Sequence, residues 1–572
     1  MATIREILLG GKNGLFASRS ALDIVSRNIN NAETEGYTRQ TPLLSPLSPS
    51  QVGVLFEGAK RERFIFLERR MHFESQNLKD FEAQKGLLER IESLFSDNEG
   101  SGLLSELDEF LNSFEELSTN PEAPALRQNV VLKAQQFTFR LRETAENLAA
   151  IRIDSNRAIS QYISEINSIV KDIALLNKKI AEFEAAKENP NELKDKRDLL
   201  IRKLSEIVDI NTFETENGMI NVYLKGGGHV LVDRDRNFSL QVEVDLSNQS
   251  KVVEDSDALY KINYVDGKGH IWNITPFITS GALGGTIKIR DKVLPDTILK
   301  LNALARQIVQ LIGSIHAKGV GASHIKTATS TYSASDSFTP INSASLPYNA
   351  NAGQVSFAIY DESGNLVTIF TINYDPDVDG IANIASLING AIGNNGYLNA
   401  FITPDNRLKL EAQNGFRFDI FNDTGGLAVS LGIDTLIVGE NVFKIDVESI
   451  FKEDPKIVSS SSDPASPFSN DIALQIAQLR TQKVDGVRTL SDIYIDIQNE
   501  IANSFNFVNI EFSARKLAVD TLEREIQQRS GVSLDEEFVR TIQFQRAFEA
   551  SARVVRIADE MLITILGLTG GG

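Results

Sequence analysis

His72, His229, His270, His316 and His324 are the only side chains in this sequence that ordinarily titrate near neutral pH, and no two stand at metal-ligand spacing. Each reads as a surface or packing residue. The nearest approach to a cation site is Asp375-Pro376-Asp377-Val378-Asp379-Gly380, with the alternating oxygens and sharp-turn glycine that open a calcium loop. Its twelfth position is Ser386, where such a loop needs a bidentate glutamate. The segment therefore reads as a strand-to-helix turn with Asp379 as N-cap. Gly281-Ala282-Leu283-Gly284-Gly285 reads as a turn after a strand rather than a phosphate cradle, and Gly226-Gly227-Gly228 as a hairpin turn. Cysteine is absent, which removes disulfides, thiol nucleophiles and zinc–thiolate sites. The expectation is a chain that is not an enzyme, with no catalytic residues, metal or cofactor.

The residues do build long helices. Ile4, Leu8, Gly11, Leu15, Ser18, Leu22, Val25 and Ile29 recur at steps of four and three, and so do Phe538, Ile542, Gln545, Phe548, Ala552, Val555, Ala558, Leu562 and Ile565. Such spacing keeps one seam on one side of a helix and asks for a partner helix. Leu8, Leu15, Leu22, Val25, Ile29, Phe538, Ile542, Phe548, Val555, Leu562 and Ile565 are the candidate assembly interface. Two such helices at opposite ends predict a chain that folds back and assembles through its joined termini.

The 572 residues exceed one core. The net charge of −19 argues against a nucleic-acid partner and against docking on anionic lipid, so assembly must rely on apolar seams. The N-terminal segment lacks the apolar core of a cleaved signal, and Met561 to Leu568 is too short to span a bilayer. No membrane insertion is expected, and export would need no cleaved signal.

Between the termini, Thr41 to Gly53 reads as an irregular Pro- and Ser-rich linker, with Gly36 available to cap the first helix in left-handed conformation. Residues 61–204 read as helix with breaks at Asp97-Asn98-Glu99-Gly100 and Asn120-Pro121-Glu122-Ala123-Pro124. In the seam Ile159, Ile163, Ile166, Val170, Ile173, Asn177, Ile180, the asparagine reads as a buried amide fixing coiled-coil alignment. Alternation after about residue 205 predicts strands, then a helix over about 295–317 and a second strand-rich region to about 447. A further seam, Ile501, Phe505, Val508, Phe512, Arg515, Val519, Leu522, Ile526, has Arg515 as its misfit, and Ser533 to Glu536 spells a capping box.

The expected class is α+β multidomain: terminal helices paired as a coiled coil, a long helical-bundle rod from both halves of the chain, and β-rich outer domains inserted between. Residues 1–45 with 533–572 form the paired termini, and 46–204 with 455–532 the rod. Residues 205–322 form a β module plus return helix, and 323–454 an outer β-rich domain.

Asn30-Asn31-Ala32 followed by Thr34-x-Gly36-Tyr37-x-Arg39-Gln40 resembles the motif closing the N-terminal helix of bacterial flagellar rod, hook and hook-associated axial proteins. Ser530-Gly531-Val532-Ser533-Leu534-Asp535-Glu536-Glu537 and Gln543-Phe544-Gln545-Arg546-Ala547-Phe548 resemble the hook-associated branch, as do Asp195-Lys196-Arg197-Asp198-Leu199-Leu200 and Ile220-Asn221-Val222-Tyr223-Leu224. The resemblance covers about 1–320 and 455–568. Its motif residues are Asn30, Asn31, Gly36, Tyr37, Arg39, Gln40, Ser530, Gly531, Leu534, Asp535 and Glu536.

This resemblance implies a structural subunit forming a ring of identical copies at the hook–filament junction, with hook protein below and a second junction protein above. It also implies passage through the flagellar type III export apparatus and a cytoplasmic export chaperone on the C-terminal helix. The alternatives are another flagellar axial subunit (hook protein or flagellin-like), a non-flagellar coiled-coil scaffold, and an enzyme acting on cell-wall glycan within 325–450.

Overall fold

The computed structural model describes residues 3–47, 53–96, 102–215, 217–245 and 259–569. Helix α1 (Ile4–Asn30) begins in a capping box in which Thr3 and Glu6 each accept the other's backbone N–H. Its C-cap is Asn31, so Gly36 does not end the helix as the sequence suggested. With φ +80°, Gly36 turns the following loop against Leu199 instead.

The expected linker is in fact an antiparallel ribbon, β1 (Gln40–Pro46) against β2 (Val54–Arg61), with a bulge between Leu43 and Leu44. In a two-stranded ribbon each strand is an edge, which tolerates the missing N–H groups of Pro42 and Pro46.

The rod is four helices in sequence, α2 (Ile65–Phe95), α3 (Leu103–Thr119), the 62-residue α4 (Pro124–Ala185) and α5 (Asn191–Ile207). The Asn120–Pro124 break separates α3 from α4 as expected; the Asp97–Gly100 break lies outside the described residues. Stacked Phe110 and Phe137 rings, 6.0 Å apart, join α3 to α4.

The seam Ile159 to Ile180 on α4 meets no coiled-coil partner. It is buried against α5 and two sheets. The first is β3 (Ile210–Glu214), β4 (Ile220–Leu224), β5 (Val230–Asp233) and β6 (Arg236–Asn237) in that order; the second is β7 (Leu240–Val244), β8 (Tyr260–Val265) and β9 (Ile271–Asn273). Asn177 therefore serves differently from expectation. Its amide donates to the Ile220 and Arg234 carbonyls and accepts from the Ile220 N–H and Arg197, tying helix to sheet with every polar atom satisfied. Gly226 to Gly228 do form the turn between β4 and β5.

The glycines read as a turn at Gly281 open a helix, α6 (Gly281–Lys288), which runs through a wide turn into α7 (Leu294–His316). The reason is contact: a side chain at Gly285 would lie 2.3 Å from the Asp80 carbonyl of α2.

Beyond α7 come β10 (Thr327–Thr329), β11 (Gly353–Tyr360), β12 (Leu366–Tyr374), α8 (Ile381–Gly390), β13 (Leu398–Ile402), β14 (Leu408–Ala412) and β15 (Arg417–Phe421). They form the sheets β10-β14-β13 and β12-β11-β15. Helices α9 (Leu427–Leu431) and α10 (Ser449–Glu453) flank the short pair β16 (Ile437–Val438) and β17 (Asp446–Val447). The calcium-like turn precedes α8, but Gly380, not Asp379, is its N-cap. Asp375 and Asp379 carboxylates accept N–H groups of their own loop. Among the described residues, no three acidic or imidazole groups gather to hold a metal.

The chain then returns through α11 (Asp471–Gln478), α12 (Leu490–Ser530) and α13 (Leu534–Thr569). The α12 seam lies antiparallel on α2, and its misfit Arg515 pairs with Glu74 at 3.1 Å and Glu511 at 3.2 Å. Among the described residues no helix is long and apolar enough to cross a membrane.

Where the outer region meets the rod, a buried polar chain is set into an apolar core that both share. Arg127 of α4 donates to the Val458 carbonyl and to Ser460 Oγ. His316 Nδ1 lies 3.2 Å from the Asp434 carbonyl, and its Nε2 accepts the Ser459 N–H at 3.0 Å. That acceptor role fixes the neutral ring, and burial pushes its pKa down to about 4. Glu448 accepts the Thr435 N–H at 3.0 Å, and burial pushes its carboxyl up to about 8. Of the other four histidines, His229 packs on Tyr264, His324 pairs with Asp419 at 2.8 Å, His270 pairs with Asp266, and His72 of α2 borders a cleft, its pKa lowered by burial.

Candidate functional site

The termini meet along a seam of small residues. On α1 it consists of Gly11, Gly14, Ser18, Ala21, Val25 and Asn28; on the antiparallel α13 of Glu537, Thr541, Phe544, Ser551, Val555 and Ala558. The α1 set alternates steps of three and four, and the α13 set does so on either side of one seven-residue step between Phe544 and Ser551. A side chain at Gly11 would lie 2.8 Å from Val555 Cγ2, and one at Gly14 2.6 Å from Ser551 Oγ, so the two axes approach as closely as glycine permits.

This pairing corrects part of the expected interface. Val25 is buried in it and Val555 half-buried, while Leu8, Leu15, Leu22 and Ile29 are only half-buried. Phe538, Ile542, Phe548, Leu562 and Ile565 face outward, between 36% and 54% exposed. Phe538 and Ile542 stand off the contact face, Phe548 lies at its edge, seven residues from Thr541 and Val555, and Leu562 and Ile565 continue it to and past the start of α1. Bulky side chains would hold the axes apart, so the small residues form the closed seam and these five are left uncovered.

Polar residues fix the register of the pair. Asn28 is wholly buried. Its amide donates to the Gln40 carbonyl at 2.8 Å and Glu537 at 2.9 Å, and its oxygen accepts from Tyr37 Oη at 2.8 Å and the Gln40 N–H at 3.0 Å. Arg39 grips Glu537 at 2.8 Å and Glu536 at 2.6 Å, while its N–H donates to the Ser530 carbonyl. Burial works against the Arg39 charge, but the two carboxylates hold its pKa above the usual arginine value. Glu536 thus faces Arg39 rather than closing the box expected with Ser533. The end of α1, the loop after it, the end of α12 and the start of α13 converge on this knot.

A second anchor fastens the knot to the rod. Asp195 of α5 accepts from Arg61 at 2.7 Å and from the Thr38 N–H at 3.3 Å; Arg61 also reaches Asp198 at 2.8 Å. Burial raises the Asp195 pKa despite Arg61. Asn191 holds Gln40 Oε1 at 3.0 Å. Burial, aided by Asp195, pushes the Tyr37 hydroxyl well above its ordinary range, so it stays a donor. Beside the anchor lies a 760 Å³ cleft bordered by Tyr37, Arg63, His72, Arg202 and Gln527.

Of the motif residues, Tyr37, Arg39, Gln40, Ser530 and Glu536 meet in the knot. Asn30 is exposed, Asn31 donates back to the Arg27 carbonyl, Gly531 stops α12, and Leu534 and Asp535 face solvent. Asn28, Glu537 and Arg61 were missed. Asn28 had a signal, since Gly14, Ala21 and Asn28 repeat every seven residues; Glu537 closes the quoted block but was not singled out from it.

Known proteins share these parts. Residues 88–328 match the family of the flagellar hook-associated protein FlgK helical domain. Residues 526–568 match that of the flagellar basal body rod FlgEFG protein C-terminal, and residues 8–38 that of the flagella basal body rod protein. The chain is 25% identical to flagellar hook-associated protein 1 of Escherichia coli (strain K12), over 98% of this chain and 100% of that protein. It is also 25% identical to flagellar hook-associated protein 1 of Bacillus subtilis (strain 168), over 98% and 97%. The solved flagellar hook junction protein FlgK from Burkholderia pseudomallei has the same fold, with TM-score 0.51 and 14% identity over 81% of this chain and 100% of that one. With matches to its helical middle, to both terminal helices and to relatives of the same length, the chain belongs to the flagellar hook-associated protein 1 family.

Proposed function

We propose that this chain is a structural, non-enzymatic subunit of the flagellar hook–filament junction, assembling as a ring of identical copies on the hook tip. The observation that carries the reading is that five large apolar side chains of α13, Phe538, Ile542, Phe548, Leu562 and Ile565, stay uncovered after the small-residue seam has closed. Five large apolar side chains on one exposed helix ask for cover, and neighbouring terminal helices supply it. In this reading the paired ends (1–45 with 533–572) line the inner tube and the rod (46–204 with 455–532) surrounds it. The β module and its return helix (205–322) and the β-rich region (323–454) project outward. Hook protein lies below and a second junction protein above. The same side chains would seat the export chaperone before the chain passes unfolded through the type III apparatus without a cleaved signal.

Deleting the gene and imaging the cells tests this. Bare hooks with flagellin shed into the medium are expected; hooks that still carry filaments would end the junction reading.

A further inference from the structure

Several sheet edges of this molecule are closed by the chain itself. Asn389 of α8 takes both backbone groups of Ala400 on edge strand β13, at 2.7 and 2.8 Å. Asn167 of α4 does the same for Leu240 on edge strand β7, at 2.8 Å each. Edge strand β15 is met by Ile325, which exchanges both backbone bonds with Phe418.

Strand β12 is left open. It is the outermost strand of β12-β11-β15 and pairs with β11 from Leu366 to Tyr374, yet among the described residues nothing hydrogen-bonds its other edge. Nine residues make an edge about 30 Å long. Proteins usually guard such an edge with lysine, proline or a short strand. Leu366–Tyr374 has neither charge nor proline. Val367 and Ile369 are 43% and 45% exposed on one face, continued by exposed Thr371 and Asn373. Gly393 stands against Phe370 and the Ile369 carbonyl, which sets Ile392, 99% exposed, beside the strand.

The charge around this edge has one sign. From Thr327 to Asn406 the sequence has no lysine, arginine or histidine, and seven carboxylates. Asp361 and Glu362 stand just before the strand, and Asp375, Asp377 and Asp379 just after it.

We propose that β12 is a docking edge for an extended peptide segment with alternating apolar side chains and basic residues at both ends, added as a fourth strand to β12-β11-β15. An extended backbone is the occupant that pairs with a row of open N–H and C=O groups. The acidic turns at the two ends of β12 select cationic flanks. A second copy of this chain is the wrong occupant, because antiparallel pairing of β12 with itself would set the Asp361 turn of one copy against the Asp375 turn of the other. This role goes beyond the junction reading and does not depend on it.

The test titrates full-length protein into a fluorescein-labelled peptide, Lys-Lys-Val-Thr-Val-Thr-Val-Lys-Lys, and reads anisotropy. Saturable binding that weakens with added salt is expected, and at least about tenfold weaker binding when glutamate replaces lysine in the peptide. A peptide with proline at both threonine positions keeps the charge but cannot complete a ladder, and should bind no better than the glutamate peptide. Val367→Lys/Ile369→Lys supplies the missing guard at exposed positions; it should melt as wild type and bind the lysine peptide about tenfold more weakly. No binding of the lysine peptide, equal binding of the proline peptide, or undiminished binding by the lysine variant would overturn the inference.

Discussion

The two long antiparallel helix pairs are closed by opposite means. Between α2 and α12, Met71, Val519 and Leu522 are buried, Phe81 meets Phe507 edge-on at 6.5 Å, and Arg515 reaches Glu74. Between α1 and α13, glycine, serine and alanine bring the backbones together, and Ala558 is the one buried apolar side chain on α13 among the described residues. Apolar burial stabilises by about 0.8 kcal/mol per methylene, so an alanine seam contributes a small fraction of a phenylalanine one. The rod pair is held by its own core. The terminal pair is specified by Asn28, Arg39 and Glu537 but draws little from burial, which fits a structure completed by neighbouring copies.

Core truncation should separate the pairs most widely. Leu522→Ala is expected to lower the unfolding free energy by about 2–5 kcal/mol in a urea titration. Phe538→Ala should change it by no more than about 0.5 kcal/mol, yet weaken filament attachment. Equal costs at the two sites would erase the distinction.

Next in size is the knot. Glu537→Ala takes the buried carboxylate from Asn28 and leaves Arg39 only the exposed Glu536; breaking a buried pair costs about 3–5 kcal/mol, and the Glu536 contact should hold the loss to the lower end of that range. Limited proteolysis should then cut both ends faster while the rod melts unchanged. A rod that melts with the ends would join what the comparison separates.

The pH profile belongs to the rod–outer joint. Glu448 is raised to about 8 in the folded chain, so folding favours its protonated form and stability falls as pH rises from about 4.5 to about 8. His316, lowered to about 4, favours the neutral form, so stability also falls as pH drops from about 6.5 to about 4. Melting temperature should peak in mildly acidic solution, and Glu448→Gln should flatten the alkaline limb.

The smallest effect is at Arg515. It is partly solvent-exposed, so Arg515→Gln should cost about 0.5 kcal/mol or less in the same urea titration.

Helices were the most legible part of the sequence, because a four–three repeat survives whatever covers it. The cover was not legible. Ile159 to Ile180 has the spacing of a coiled coil, yet sheets pack on it, and Asn177 hydrogen-bonds strands rather than a partner asparagine. On α13 large and small residues share the repeat, and where α1 lies and how closely its axis approaches decide which of them are covered. Proline misled at Pro42 and Pro46, where a two-stranded ribbon has no inner strand to disrupt. Glycine misled at Gly281 to Gly285, where close approach to Asp80 outweighs poor helix propensity. The knot was half legible, its motif residues visible but its buried centre at Asn28 and Glu537 hidden, since burial leaves no mark on a polar residue's identity.

The 62-residue α4 has a mechanical consequence. It begins at the buried Arg127, beneath the outer region, and ends beyond Asn177, which is fastened to the β module. At 1.5 Å per residue it is a lever about 93 Å long, so each degree of tilt at one end sweeps the other by about 1.6 Å. A load that leans the outer region by a few degrees would therefore arrive at the far end as a displacement as large as a side chain.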